Sequence, residues 1–361
     1  MKKVPGCDLR IMQNHKLLYH HISGDADFEG TKPLTEDNIF MLYSCTKIMT
    51  CTCVLQLMEQ GLVGLDDPVS KYLPEFSKVF LMKDGNPAQP EKAMTIRHLF
   101  TMSAGFDYHL KAQPILDTIA KNPHASTLDI VNALPRSPLH FEPGTRFQYS
   151  LCHDVLGAIV EVVSGKRLSE YMKENIWEPL GMKDIGFHIP EDILPRLAAL
   201  YLCNGPGSYV PFYDLMDFNM TDRYESGGAG LYSTAESYSL FVDAMACGGV
   251  GATGNRILKS ETIDLMRTEQ LSNYLMNSEY SCAAGPGYGF GLGVRTLIDK
   301  SQGQRSSLGE FGWDGAAGSY MLMDPKHGLS IFFAMHVRGW PTLIGDSHAK
   351  LRDLTYDVLG L

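Results

Sequence analysis

Two short stretches place a serine three residues ahead of a lysine: Ser44-Cys45-Thr46-Lys47 and Ser347-His348-Ala349-Lys350. Residues three apart on a helix share a face, so hydroxyl and amine can exchange a proton there. A serine hydroxyl is a poor nucleophile until a base removes its proton. A lysine can help only where desolvation or nearby positive potential disfavours its ammonium form. The chemistry on offer is acyl transfer through a covalent acyl-serine. The pattern alone decides little, because two fixed residue types in four positions recur by chance about once in a chain of this length.

Context separates the two tetrads. Ser44 opens the run SCTKIMTCTCVLQLMEQ, in which Ile48, Val54, Leu55 and Met58 recur at helical intervals and Gly61 follows as a stop. A helix N-terminus at Ser44 supplies positive potential and aims the Ser44 backbone N–H toward a developing oxyanion. The second tetrad belongs to a closing amphipathic helix expected to carry Ile344, Leu351, Leu354 and Val358 on one face, and its Ser and Lys read as a solvated surface.

Around this helix, Cys7–Met12 and Leu17–Ile22 flank the polar turn Gln13–Lys16 and read as a strand hairpin. From about 65 to 275 helical patterns alternate with Pro and Gly punctuation. Strands return at Tyr288–Thr296, Tyr320–Met323 and Leu329–His336, the last two joined by the Asp324–Gly328 turn. The expected architecture is α/β plus all-α: an antiparallel sheet built from both termini and flanked by helices, with an inserted helical domain. Its division is residues 1–60 with 280–361 as a discontinuous sheet domain, residues 61–279 as a mainly helical domain, and the active site between them.

An ordered series of motifs runs through this frame: Leu65-Asp66-Asp67-Pro68-Val69-Ser70-Lys71-Tyr72-Leu73-Pro74, Thr95-Ile96-Arg97-His98-Leu99, Phe141-Glu142-Pro143-Gly144-Thr145, Tyr149-Ser150, Gly227–Thr234, Tyr288–Gly293 and Gly312-Trp313-Asp314-Gly315. Taken together with Ser44 and Lys47, the series resembles class C β-lactamase-like proteins of the penicillin-binding superfamily, and most of all family VIII carboxylesterases and related acyltransferases. The resemblance implies the β-lactamase/transpeptidase-like fold and covers almost the whole chain. It assigns Tyr149 to a tyrosine that shares proton transfer with Ser44 and Lys47, the two basic groups titrating as a coupled pair. It assigns Trp313-Asp314-Gly315 to the family's K-T-G-like strand, with the Ala316 N–H as second oxyanion donor. Lys326-His327-Gly328 looks closer to K-T-G but falls at a hairpin tip.

Three departures bear on function. Leu151 stands where β-lactamases carry an asparagine that contacts substrate. Trp313 and Asp314 replace lysine and threonine, removing a positive charge and, as expected from sequence, presenting a negative one to substrate carboxylates. Leu151, Trp313, Asp314 and Gly315 are therefore the expected substrate-binding residues, for neutral or amine-bearing esters or amides rather than β-lactams. The third departure is that related proteins carry a helix ahead of the segment matching Val4-Pro5-Gly6. The sheet face beneath it is expected to be covered by another copy, as a homo-oligomer, or by the closing helix.

Composition sets the remaining bounds. The 361 residues with 44% hydrophobic content support a large core. A net charge of -10 without a basic cluster argues against nucleic acid. No apolar stretch suits an export signal or a membrane span. The eight cysteines lack framework spacing and are expected to be free thiols in the cytoplasm. CxxC, HExxH and His-x-His patterns are absent, so no metal or other cofactor is expected. Within enzymes the alternative is a β-lactamase or D-amino-acid peptidase or amidase; outside them, a non-catalytic ligand-binding module on the same scaffold.

Overall fold

The polar tetrapeptide at 13–16 makes the first hairpin turn, with Asn14 and His15 both at positive φ (48° and 67°), the backbone that matches the twist of the flanking strands. These strands, β1 (Gly6–Gln13) and β2 (Lys16–Gly24), form one edge of the main sheet in the computed structural model of the chain. The structure describes residues 5–205, 207–213, 218, 220–271, 285–340 and 342–361.

Short strands follow along the chain: β3 (Ile39–Met41), the hairpin β4 (Leu81–Lys83) with β5 (Asn86–Ala88), β6 (Tyr201–Gly205), β7 (Ser208–Pro211) and β8 (Tyr232–Thr234). The C-terminal part then supplies β9 (Tyr288–Phe290), β10 (Arg295–Leu297), β11 (Phe311–Asp314), β12 (Tyr320–Asp324), β13 (Leu329–Met335) and β14 (Val337–Arg338). The main sheet has seven strands in the order β2-β1-β13-β12-β11-β10-β9, all neighbours antiparallel. Both ends of the chain thus meet where β1 pairs with β13, Ile11 opposite Ile331. The sheet from two termini and the β-lactamase/transpeptidase-like fold are as the sequence led us to expect. The run 288–296 is two strands rather than one, because Gly291 and Gly293 turn the chain between them, Gly293 at φ 80°.

One sheet face is covered by the helix Ala235–Ala246, which packs on β1, β12 and β13. This helix falls in the stretch expected to be a separate helical unit, yet its residues Tyr238, Phe241, Val242 and Met245 belong to the same core as Phe332 and Met321 of the sheet. The nucleophile helix, Thr46–Glu59, packs against the helix Cys152–Ser164 and is buried from Thr46 to Leu57 on every side. A helix apolar all round is the mark of a central position.

The closing helix, Ala349–Leu359, covers the opposite sheet face with only part of the set expected from its periodicity: Leu351 packs there, and the Ile344 side chain lies outside the described residues. Tyr356 is its fully buried residue, packed with Ile11, Tyr320, Leu322, Leu329 and Ile331, and Leu351 and Leu359 flank it. Leu354 and Val358 are instead 62% and 75% exposed. The helix turns to place the Tyr356 hydroxyl on the Asp324 carboxylate at 2.7 Å and Arg352 on the Tyr288 hydroxyl at 2.9 Å. Satisfying these buried polar partners sets the face over the aliphatic stripe.

Candidate active site

The strand β3 ends in a sharp reversal. Tyr43 has φ 47°, a left-handed conformation uncommon for an aromatic residue. The edge of Phe218 (centroids 5.7 Å, 76°) and the Arg338 guanidinium (5.5 Å from the ring) hold the Tyr43 side chain there. Ser44 follows in a 3-10 turn, Tyr43–Cys45, that runs directly into the helix Thr46–Glu59. The expected helix N-terminus at Ser44 is thus present, with a tighter first turn.

Lys47 is 1% exposed and donates three hydrogen bonds: to Ser44 Oγ at 3.1 Å, to the Gly228 carbonyl at 2.6 Å and to the Tyr108 hydroxyl at 3.4 Å. Those three acceptors match the three donors of an ammonium group. Tyr149 lies on the other side of the nucleophile, its hydroxyl 2.8 Å from Ser44 Oγ. Trp313 Nε1 donates to the same tyrosine oxygen at 3.2 Å. Tyr108, Tyr149 and Trp313 form a stack, with centroids 5.6 and 6.0 Å apart and ring planes within 13°. Lys47 Nζ lies 4.7 Å from the Tyr149 ring centroid and 5.3 Å from that of Tyr108.

Two residues of this arrangement escaped the sequence reading. Burial pushes the Tyr108 hydroxyl well above the usual tyrosine range, helped by the Asp154 and Tyr149 charges, so it stays protonated. Asp154 is buried in the first turn of the helix Cys152–Ser164 and accepts from Tyr224 at 2.7 Å and Ser226 at 2.6 Å. An acid among Val155, Leu156, Ile159 and Val160 was the signal available for it. Its second oxygen approaches Gly228, where an added Cβ would lie 2.6 Å from Asp154 Oδ2 and 3.2 Å from the Tyr108 oxygen. Only glycine lets this backbone pass and offer its carbonyl to Lys47.

The K-T-G-like strand is β11. Gly315, just past its end, lies against the nucleophile turn, and a Cβ there would be 2.6 Å from the Leu42 carbonyl. Ala316 follows as an exposed residue at this lip. Alternation along the strand points Trp313 toward Tyr149 and Asp314 away from it. Asp314 therefore turns its charge away from Ser44 and Tyr149, where the sequence led us to expect it to face the site. Its carboxylate is bound by Arg295 at 3.0 Å, with His348 Nδ1 at 3.3 Å. Burial alone would raise this acid, but Arg295 and His348 hold it below the ordinary aspartate range.

Leu151 also departs from the expected place. It is 3% exposed at the start of the helix Cys152–Ser164, and its N–H donates to the Asp107 carbonyl at 3.1 Å. Its side chain borders a separate cavity of about 230 Å³ with Phe106, Asp107, His109 and Leu134, whose lining omits Ser44, Lys47 and Tyr149.

The decoy motifs are structural. His327 pairs with Asp324 at 2.9 Å in the β12–β13 turn, and Lys350 is an exposed partner of Asp346 at 3.1 Å. Cys7, Cys45, Cys51, Cys53 and Cys152 are buried free thiols, Cys203 and Cys247 are free and half-buried, and Cys282 lies outside the described residues. Among the described residues no metal-ligating cluster gathers at Ser44, and no helix is long and apolar enough to cross a membrane.

Known proteins resemble this chain along most of its length. A sequence model of the Beta-lactamase family matches residues 1–353. Esterase EstB of Burkholderia gladioli is 30% identical over 381 residues, covering 98% of this chain and 91% of its own. The solved structure of EstCE1, described as a hydrolase with promiscuous acyltransferase activity, superposes with TM-score 0.81 at 28% identity over 98% of this chain and 94% of that one. A variant of simvastatin synthase from Aspergillus terreus superposes with TM-score 0.82 at 26% identity over 99% of this chain and 93% of that one. By these similarities the chain is a serine hydrolase, and it belongs to the beta-lactamase family.

Proposed function

We propose that the chain turns over small esters by double displacement, with Ser44 as nucleophile and Lys47 and Tyr149 as the proton-transfer pair. One observation carries the reading: Ser44 Oγ lies within hydrogen-bond reach of both Lys47 Nζ (3.1 Å) and the Tyr149 hydroxyl (2.8 Å). Lys47 and Tyr149, the latter held by the Trp313 N–H, relay the serine proton away as Oγ bonds to the carbonyl carbon. The Ser44 and Ala316 amides hold the oxyanion, and Tyr149 returns the proton to the departing alcohol. A water molecule or a second alcohol then attacks the acyl-serine by the same route in reverse. The similarity to an esterase, to a hydrolase with acyltransferase activity and to simvastatin synthase supports either acceptor.

The substrate is neutral or amine-bearing. Trp313 replaces the lysine that would meet a β-lactam carboxylate, and Arg295 is committed to Asp314. The site falls between our two proposed units, Ser44, Lys47 and Trp313 coming from 1–60 with 280–361, and Tyr108, Tyr149 and Gly228 from 61–279. Buried free thiols support a cytoplasmic location, and the exposed Leu354 and Val358 support a homo-oligomer.

The test is a panel of short nitrophenyl esters, nitrocefin and D-amino amides, with an alcohol acceptor in one arm, run beside Ser44→Ala. Ester turnover and a fluorophosphonate adduct on Ser44 are expected in the wild type alone. An equal adduct on Ser44→Ala, or nitrocefin turnover faster than ester turnover, would overturn the reading.

A further inference from the structure

At the far end of the helix Ala235–Ala246 the tip of the first hairpin docks on the chain's interior. Asn14 N–H donates to the Gly328 carbonyl at 2.8 Å and Gln13 Nε2 to the His327 carbonyl at 3.2 Å, which fixes the turn in place. His15 is thereby delivered to Asp243, its Nδ1 2.7 Å from Oδ2 and its N–H 3.3 Å from Oδ1. Cys247 lies four residues beyond Asp243, on the same side of the helix end, with Sγ 3.9 Å from Asp243 Oδ1. One ligand atom from each of His15, Asp243 and Cys247 lies within 4.8 Å of the other two.

We propose that His15, Asp243 and Cys247 form a site for a borderline-soft divalent cation, zinc above all, with the fourth position open to water. The donor set selects the ion. A thiolate disfavours magnesium and calcium, and a carboxylate disfavours copper(I), whereas imidazole, carboxylate and thiolate together suit zinc or cobalt. In a tetrahedral zinc site donors stand roughly 3.3–3.7 Å apart, given bonds of about 2.0–2.3 Å. The His15–Asp243 contact need open by about half an ångström, and the thiol, 3.9 Å from Asp243 and within 4.8 Å of His15, must move in toward both, by side-chain rotation.

The electrostatics favour a cation. The Asp243 side chain is 1% exposed, so its carboxylate is held away from solvent with His15 beside it. A divalent ion would neutralise carboxylate and thiolate together. His15 is 33% exposed, which gives the ion a route in from solvent. None of the three residues bonds to Ser44, Lys47 or Tyr149, so the role is structural: the ion would clamp the sheet-edge hairpin to the helix that supports β13.

The test is titration of metal-free full-length chain with cobalt(II), reading the thiolate-to-cobalt charge-transfer band in the near ultraviolet, and then displacement by zinc. The wild type is expected to bind one equivalent. The band should vanish in Cys247→Ser, and affinity should fall by at least about tenfold in His15→Gln. Zinc should raise the melting temperature of the wild type and not of either variant, while ester turnover stays within about twofold in both, which also reports that they fold. No band in the wild type, or a band that persists in Cys247→Ser, would overturn the proposal. Should Cys247→Ser fail to fold, unchanged cobalt affinity in the surface variant His15→Gln would overturn it equally.

Discussion

Trp313 donates its indole N–H to the Tyr149 oxygen at 3.2 Å while lying in the same stack, 13° from coplanar. One side chain of β11 therefore both walls the site and donates to the oxygen that we propose shares in proton transfer. Lys47 approaches the Tyr149 ring from beside the nucleophile, its Nζ 4.7 Å from the ring centroid.

Replacing Trp313 by Phe keeps the stack and deletes the donor. The loss is one hydrogen bond to a charged oxygen, about 1.5–3 kcal/mol, or roughly ten- to a hundredfold in kcat/KM. Because the donor acts on the oxygen proposed to take part in proton transfer, the loss should fall on kcat. A loss confined to KM would make Trp313 a wall and nothing more.

Asp314→Asn should cost stability without changing selectivity. Removing one partner of a buried ion pair leaves Arg295 uncompensated in the interior, typically about 3–5 kcal/mol. Chemical denaturation should show this loss. Nitrocefin turnover should not rise, because the carboxylate faces Arg295 and His348 and not the nucleophile. A gain in nitrocefin hydrolysis would mean that Asp314 does repel substrate.

Gly228→Ala should act on catalysis through Lys47. The new Cβ would collide with Asp154 Oδ2 and crowd the Tyr108 oxygen, displacing the carbonyl that Lys47 grips at 2.6 Å. A misplacement on this scale costs about a hundredfold in kcat. Gly205→Ala, which meets nothing within 4 Å, is the control and should leave turnover intact. Equal activity of the two variants would show that the Gly228 carbonyl does not position Lys47.

What could be read from sequence follows a physical divide. The ordered motif series, more than the spacing of Ser44 and Lys47, singled out Ser44, Lys47 and Tyr149, and the fold brings these three side chains together. Tyr108 was not legible, because it reaches Lys47 across 61 residues and follows no periodic pattern. The same holds for His15 and Asp243, 228 residues apart. Strands β3 and β8, three residues each, are too short to show alternation and exist by pairing Ile39–Met41 with Tyr232–Thr234. Asp314 was assigned to the wrong side because a motif match gives a residue's position in the strand, whereas its buried partner Arg295 decides where the charge goes. The closing helix misled in a similar way: Leu354 and Val358 fit an apolar stripe, but Arg352 and Tyr356 had polar partners to reach.

His336 ties the nucleophile turn to the end of the sheet and should make the fold acid-sensitive. Its Nδ1–H donates to the Ala198 carbonyl at 2.8 Å, and Nε2 accepts the Met41 N–H at 2.6 Å, three residues before Ser44. That pairing requires the neutral ring, and burial depresses its pKa to about 4 from the ordinary 6.5. Between these values the unfolded chain binds a proton that the folded chain refuses, so stability rises with pH across the window. The contribution is fully present above about pH 6.5 and falls away as pH drops toward 4, on the order of 3 kcal/mol in all. His336→Gln keeps a donor and an acceptor but cannot take up the proton. Denaturant midpoints measured from pH 7 to 4 should therefore fall more steeply for the wild type than for His336→Gln, and ester turnover should decline with them. Parallel slopes for the two proteins would show that His336 is not the group that senses acid.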